Sequence, residues 1–200
     1  MNKGAKNIIL TLFGITYIAL GLLSFYNAFK YTETAGILWF SYFAFFLIGI
    51  GILTRKSELI ASQLNIILIP YIVWNIDFLY VFITGNSLWG ITNYFLVQRP
   101  LIAQVITSQH IFTIPISLLA IYFIKIKNKG FWKFSLAQIT IFYILIRALS
   151  TPEENINCVF SSCLPFQVPG AIYPVFWFSL YSVMIFLVTF SLNKIKVFQK

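Results

Sequence analysis

Charge is what this sequence lacks. Only 10% of its 200 residues are Asp, Glu, Lys or Arg, against roughly 25% in a soluble domain of ordinary composition. Acids are scarcest, with 5, and there are one His and two Cys. Such a chain cannot solvate the surface of a cytosolic enzyme. Two cysteines do not make a disulfide scaffold, and a lone His with no Glu-x-x-His or His-x-x-x-His spacing does not make a catalytic zinc site. The Gly-x-Ser-x-Gly elbow is missing, two-aspartate proteolysis lacks its second embedded carboxylate, and no loop could house a nucleotide-binding domain. No metal and no cofactor is expected.

What is present is apolar: 60% of the residues are hydrophobic and 19% aromatic, with 22 Phe, 11 Tyr and 5 Trp. The hydrophobic residues come in runs long enough for a hydrocarbon core of about 30 Å, which takes roughly 20 helical residues. Six spans are read, at about Ile8–Phe29, Thr34–Thr54, Ala61–Thr84, Leu101–Ile124, Phe131–Ser150 and Ala171–Leu192. Segments of this length in lipid must be helical, because no water is available to unpaired backbone groups. The expectation is an all-α, polytopic bundle of six transmembrane helices forming one domain over residues 1–200. The first run, Asn7 to Phe29, exceeds a signal-peptide core and reads as a span that is retained.

The net charge of +9 punctuates the runs and forms no stripe, so nucleic acid is not an expected partner and anionic headgroups are. With a cytoplasmic N-terminus, the inner segments carry Lys3, Lys6, Arg55, Lys56, Lys125, Lys127, Lys129, Lys133, Lys194, Lys196 and Lys200, which is 11 of 14 basic residues. The outer flanks keep Lys30, Arg99 and Arg147 and hold Glu33, Glu153 and Glu154. Short connections are the regime in which this bias orients a chain. Both termini are therefore expected in the cytoplasm, in a multi-pass protein of the cell membrane.

Two outer connections stand out. Gly85–Pro100 carries Trp89, Tyr94 and Phe95, rings suited to the headgroup level, and reads as a short interfacial helix after the third span. Thr151–Gly170 contains both cysteines, Cys158 and Cys163. A structural disulfide is expected there, since the outer side permits one; a redox pair would favour Cys-x-x-Cys, and zinc would want four ligands.

An ionisable group at membrane depth is expensive and marks a site. Asp77 lies about seven residues inside the third span, roughly 10 Å deep, and His110 about nine residues into the fourth, roughly 14 Å deep. Their matched depths on consecutive helices suggest an outer-leaflet cavity with Asn75, Gln104, Thr113, Gln138 and Arg147. Asn75 is also suited to joining helices. His110 is the one imidazole available for acid–base work, Asp77 could orient it, and Thr113, three residues on, offers a hydroxyl. These catalytic and substrate-binding roles suit a lipid or acyl-ester hydrolase or transferase. The alternatives are a small secondary transporter or lipid-binding protein with Asp77 as ion site, and a structural membrane subunit in which the same residues join helices.

The run His110-Ile111-Phe112-Thr113-Ile114-Pro115 is similar to the histidine helix of the multi-spanning threonine–histidine hydrolases that cleave fatty-acid esters of hydroxy fatty acids. It covers six residues, and no motif matches that family's threonine nucleophile. The aromatic content suits a hydrophobic small molecule with an acyl or isoprenoid tail. Membrane lipids are the expected partners, and self-association is compatible with the small size.

Overall fold

The computed structural model describes residues 2–31, 34–96 and 100–200. Glu33 and Arg99, two of the flanking charges, and the side chain of Phe95 lie outside the described residues. Six helices follow one another: α1 (Lys3–Tyr31), α2 (Phe40–Leu53), α3 (Ser57–Thr84), α4 (Leu101–Ile124), α5 (Trp132–Leu149) and α6 (Tyr173–Lys194). All but α2 are long and apolar enough to cross a membrane. The chain is an all-α, multi-pass membrane-type bundle. Its outward faces agree: Phe82 is 80% and Ile83 79% exposed, an arrangement that lipid rewards and water does not.

α4 begins and ends where the apolar run does. α2 differs most, because its 14 residues span only about 21 Å, while residues expected in the same span form a 3-10 turn at Thr34–Leu38. Asn157 sets that boundary. Its side chain accepts from the Phe40 amide at 3.0 Å and donates to the Leu38 carbonyl at 2.8 Å. A first-turn amide, which has no partner in its own helix, is thus capped by a loop residue far along the chain. At the other end, α2 stops in a Schellman turn: the Lys56 amide reaches the Gly51 carbonyl at 2.8 Å and the Arg55 amide the Ile52 carbonyl at 3.3 Å. Arg55 takes the left-handed position, φ 58°, usually given to glycine.

α1 runs close along α2. A Cβ added at Gly49 would stand 2.8 Å from the Ile18 backbone nitrogen and 3.0 Å from the Gly14 carbonyl, so the contact needs a residue without one. α3 is the centre of the bundle, packing against α2, α4, α5 and α6.

One end of the bundle collects the start of α1, the α2–α3 turn, the α4–α5 connection and the C-terminal tail. Lys6 Nζ donates to the Phe123 carbonyl, Ser57 Oγ to the Lys125 carbonyl at 2.8 Å, and Ile126 pairs with Gln199 in an isolated parallel bridge. All 11 basic residues assigned to the inner segments belong to this end.

Between α3 and α4 no α-helix forms over the described part of Gly85–Pro100. Four residues, Asn93–Leu96, make a 3-10 turn. The stretch before it is wrapped around a carboxylate instead, with Gly85 and Gly90 at φ 73° and 82°.

Candidate functional site

That carboxylate is Asp77, which is completely buried. Ser87 Oγ reaches both of its oxygens, at 2.9 and 2.8 Å. The Trp89 amide donates to one oxygen at 2.7 Å. The other accepts from the Thr92 amide at 2.7 Å and from Thr92 Oγ1 at 2.6 Å. Charge-assisted bonds of this length are the strong kind, so a carboxylate too costly to bury bare is stabilised by loop donors. Asp77 therefore holds the α3–α4 loop, and among the described residues none of its hydrogen bonds goes to His110.

His110 is engaged separately. Its ring lies against Tyr71 and Trp74 of α3, with centroids 4.3 and 4.7 Å apart, and meets Phe45 of α2 edge-on at 6.4 Å. Nδ1 is 2.8 Å from the Thr107 carbonyl oxygen and 2.8 Å from the Gln109 side-chain amide. Among the described residues no hydrogen bond reaches Nε2. Tyr71, Trp74 and Asp77 follow at three-residue intervals on one face of α3, and Trp74 Nε1 donates to the Tyr94 hydroxyl at 2.7 Å. The loop that Asp77 fastens leads directly into Tyr94, so the carboxylate is linked to the imidazole through Tyr94 and Trp74.

Thr113 is fully buried, and its Oγ1 bonds the carbonyl and side-chain oxygens of Gln109 at 2.9 and 2.7 Å. It joins His110 through Gln109 and not directly. Thr107 and Ser108 likewise donate to carbonyls of their own helix. Among the described residues, the buried hydroxyls of Tyr71, beside Gln109 and Ser41, and of Ser117, beside Tyr17, make no hydrogen bond of good geometry. Asn75 Nδ2 reaches the His110 carbonyl at 3.1 Å and the Tyr71 carbonyl at 2.7 Å, tying α3 to α4 at the level of the imidazole. Gln104 lies on an exposed part of α4, six residues nearer its start.

Gln138 and Arg147 are not in this group. Gln138 pairs with Gln63 through two amide bonds of 2.8 and 3.2 Å, nearer the basic end. Gln138 is the seventh residue of α5, counted from Trp132, which places it in the basic half of the bundle. Around it run Ser135 to the Ser62 carbonyl (2.9 Å), Asn65 to Ser135 (3.0 Å) and Thr189 to Asn65 (3.2 Å). Ser62, Gln63 and Asn65 escaped the sequence reading, although three polar residues within four positions of an apolar helix were the available signal. Arg147 places its guanidinium over Phe160 at 4.7 Å and Tyr143 at 5.9 Å, packing against the cysteine loop.

In that loop Cys158 and Cys163 form a disulfide, with Cα atoms 5.6 Å apart. The Trp177 indole and the Tyr173 hydroxyl donate to the Asn157 and Cys158 carbonyls, at 3.1 and 2.6 Å. Among the described residues no three His, Cys, Asp or Glu side chains converge as a metal site. Compared with known proteins, the chain matches no family model, no curated protein and no solved structure.

Proposed function

We infer that the chain is a six-span protein of the cell membrane, with Lys3 and Lys200 both on the cytoplasmic side, that hydrolyses or transfers the acyl group of a lipid ester using His110 as general base. The observation that carries this reading is an imidazole fixed at Nδ1 with nothing bonded to Nε2 among the described residues. A carbonyl can only accept, so the Thr107 contact calls for a proton on Nδ1, which leaves the lone pair of the neutral ring on Nε2. Gln109 is compatible when its amide turns its oxygen to the ring and its NH2 to Thr113, whose proton is committed to the Gln109 carbonyl. Gln109 and Thr113 are then positioning residues. This replaces Asp77 as the group that orients the base and Thr113 as the nucleophile.

In the reaction, Nε2 takes the proton of an attacking hydroxyl, from water or an acceptor lipid. That oxygen adds to the ester carbonyl, and the imidazolium returns the proton to the departing alkoxide. The unpaired Tyr71 hydroxyl is the donor available for the negative charge that develops on the carbonyl oxygen. The aromatic rings around His110 suit an acyl tail, and entry runs through the Trp74–Tyr94 contact, whose loop Asp77 fastens. The ion-site reading is set aside because both Asp77 oxygens already accept loop donors.

The test is turnover of a long-chain fluorogenic acyl ester by the full chain in phospholipid vesicles. His110→Ala is expected to lower kcat by about 10²–10⁴, Tyr71→Phe to lower kcat, and Gln109→Leu to give a smaller loss. Parental turnover by His110→Ala, with the chain still folded, would falsify the reading.

A further inference from the structure

At the basic end, far from His110, a groove of about 560 Å³ opens between the start of α5 and the end of α6. Its rim holds Lys129 and Lys194, its wall is Trp132, Phe186 and Phe190, and Asn193 stands at its end. The floor is Thr189, whose hydroxyl is turned away to Asn65. Asn193 Oδ1 is buried and accepts no hydrogen bond from the described residues, so the lysines are the polar groups that the groove offers.

The fold concentrates charge here. The α4–α5 segment brings Lys125, Lys127, Lys129 and Lys133, and the pairing of Ile126 with Gln199 lays the tail beside it, adding Lys194, Lys196 and Lys200. Glu58 is the acid in contact with this segment, accepting from the Asn128 amide at 3.1 Å. A purely aqueous anion would leave the aromatic wall unused, and a neutral lipid would leave the lysines unused. The wall continues down α6 among residues facing the hydrocarbon.

We propose that this groove binds an anionic phospholipid, its phosphate between Lys129 and Lys194 and its acyl chains along Trp132, Phe186 and Phe190. A phosphatidylglycerol headgroup supplies that negative charge, which a phosphatidylcholine headgroup cancels with its own cation. The site is independent of the His110 reading.

Native mass spectrometry of the full chain, delipidated in detergent and titrated with dioleoyl phosphatidylglycerol or phosphatidylcholine, tests it. The parent is expected to retain phosphatidylglycerol preferentially, and Lys129→Gln/Lys194→Gln to weaken that retention by about tenfold or more. The control Lys3→Gln/Lys56→Gln removes equal charge from the same end, outside the groove, and is expected to retain the lipid. Equal retention by the groove variant overturns the proposal. So does equal loss in the control, which would indicate diffuse attraction, and so does displacement of the lipid by millimolar inorganic phosphate, which would indicate a phosphate site without a lipid component.

Discussion

At Asp77 three donor residues compete for two oxygens, and the geometry leaves no space for an NH2 in place of either. Asp77→Asn aims an amide donor at the Ser87 hydroxyl and at backbone N–H groups, leaving buried donors unsatisfied at about 1–3 kcal/mol. Hydrogen exchange at the Trp89 and Thr92 amides should accelerate by about tenfold or more, while exchange in the middle of α3 stays unchanged. Loss of protection throughout α3 would mean that the carboxylate supports the whole helix and not the loop. The sequence made clear that an embedded carboxylate needs partners, and matched depth pointed to His110. The partners lie 10 to 15 residues further on. Two are backbone amides, which every residue possesses and no side-chain pattern reveals. The same limit hid the Thr107 carbonyl that holds His110.

Helices show where periodicity stops being informative. The limits of α4 were legible because both ends coincide with the run itself. α2 was not, because its first turn depends on Asn157, 117 residues from Phe40, and local composition does not report a distant cap. The α1–α2 contact gives a sharper expectation. Gly49→Ala forces a methyl group against backbone atoms of α1 that cannot rotate away, at about 1–3 kcal/mol for an overpacked site, read as a lower unfolding midpoint in detergent. The Gln63–Gln138 pair calls for a cycle. Either single change to Leu strands a buried amide, whereas Gln63→Leu/Gln138→Leu removes both partners. The double variant should therefore be more stable than the less stable single one, with a coupling of about 1 kcal/mol. Additive losses would mean that the amides matter through packing alone.

For the whole molecule, the all-α, multi-pass character was the most readable property, because long apolar runs are local and need no contacts; sidedness is the expectation that the charge bias adds. In variants whose native cysteines are replaced, Lys3→Cys and Lys200→Cys should resist an impermeant thiol reagent in intact cells, and Glu153→Cys should react. Labelling of either terminal position from outside contradicts the six-span reading. Reduction of the disulfide should also speed exchange at the Phe40 amide, since Cys158 adjoins the residue that caps it. The Asn157 clamp also sets the earliest point of synthesis at which the first turn of α2 can be capped. α2 reaches the bilayer with its first amide bare, and the oxygen that satisfies it is made 117 residues later. At about 5–20 residues per second the interval is roughly 6–25 s. Throughout that time α2, already the shortest of the six, lacks the cap of its first turn, which becomes available only after the fifth helix and the cysteine loop have followed it.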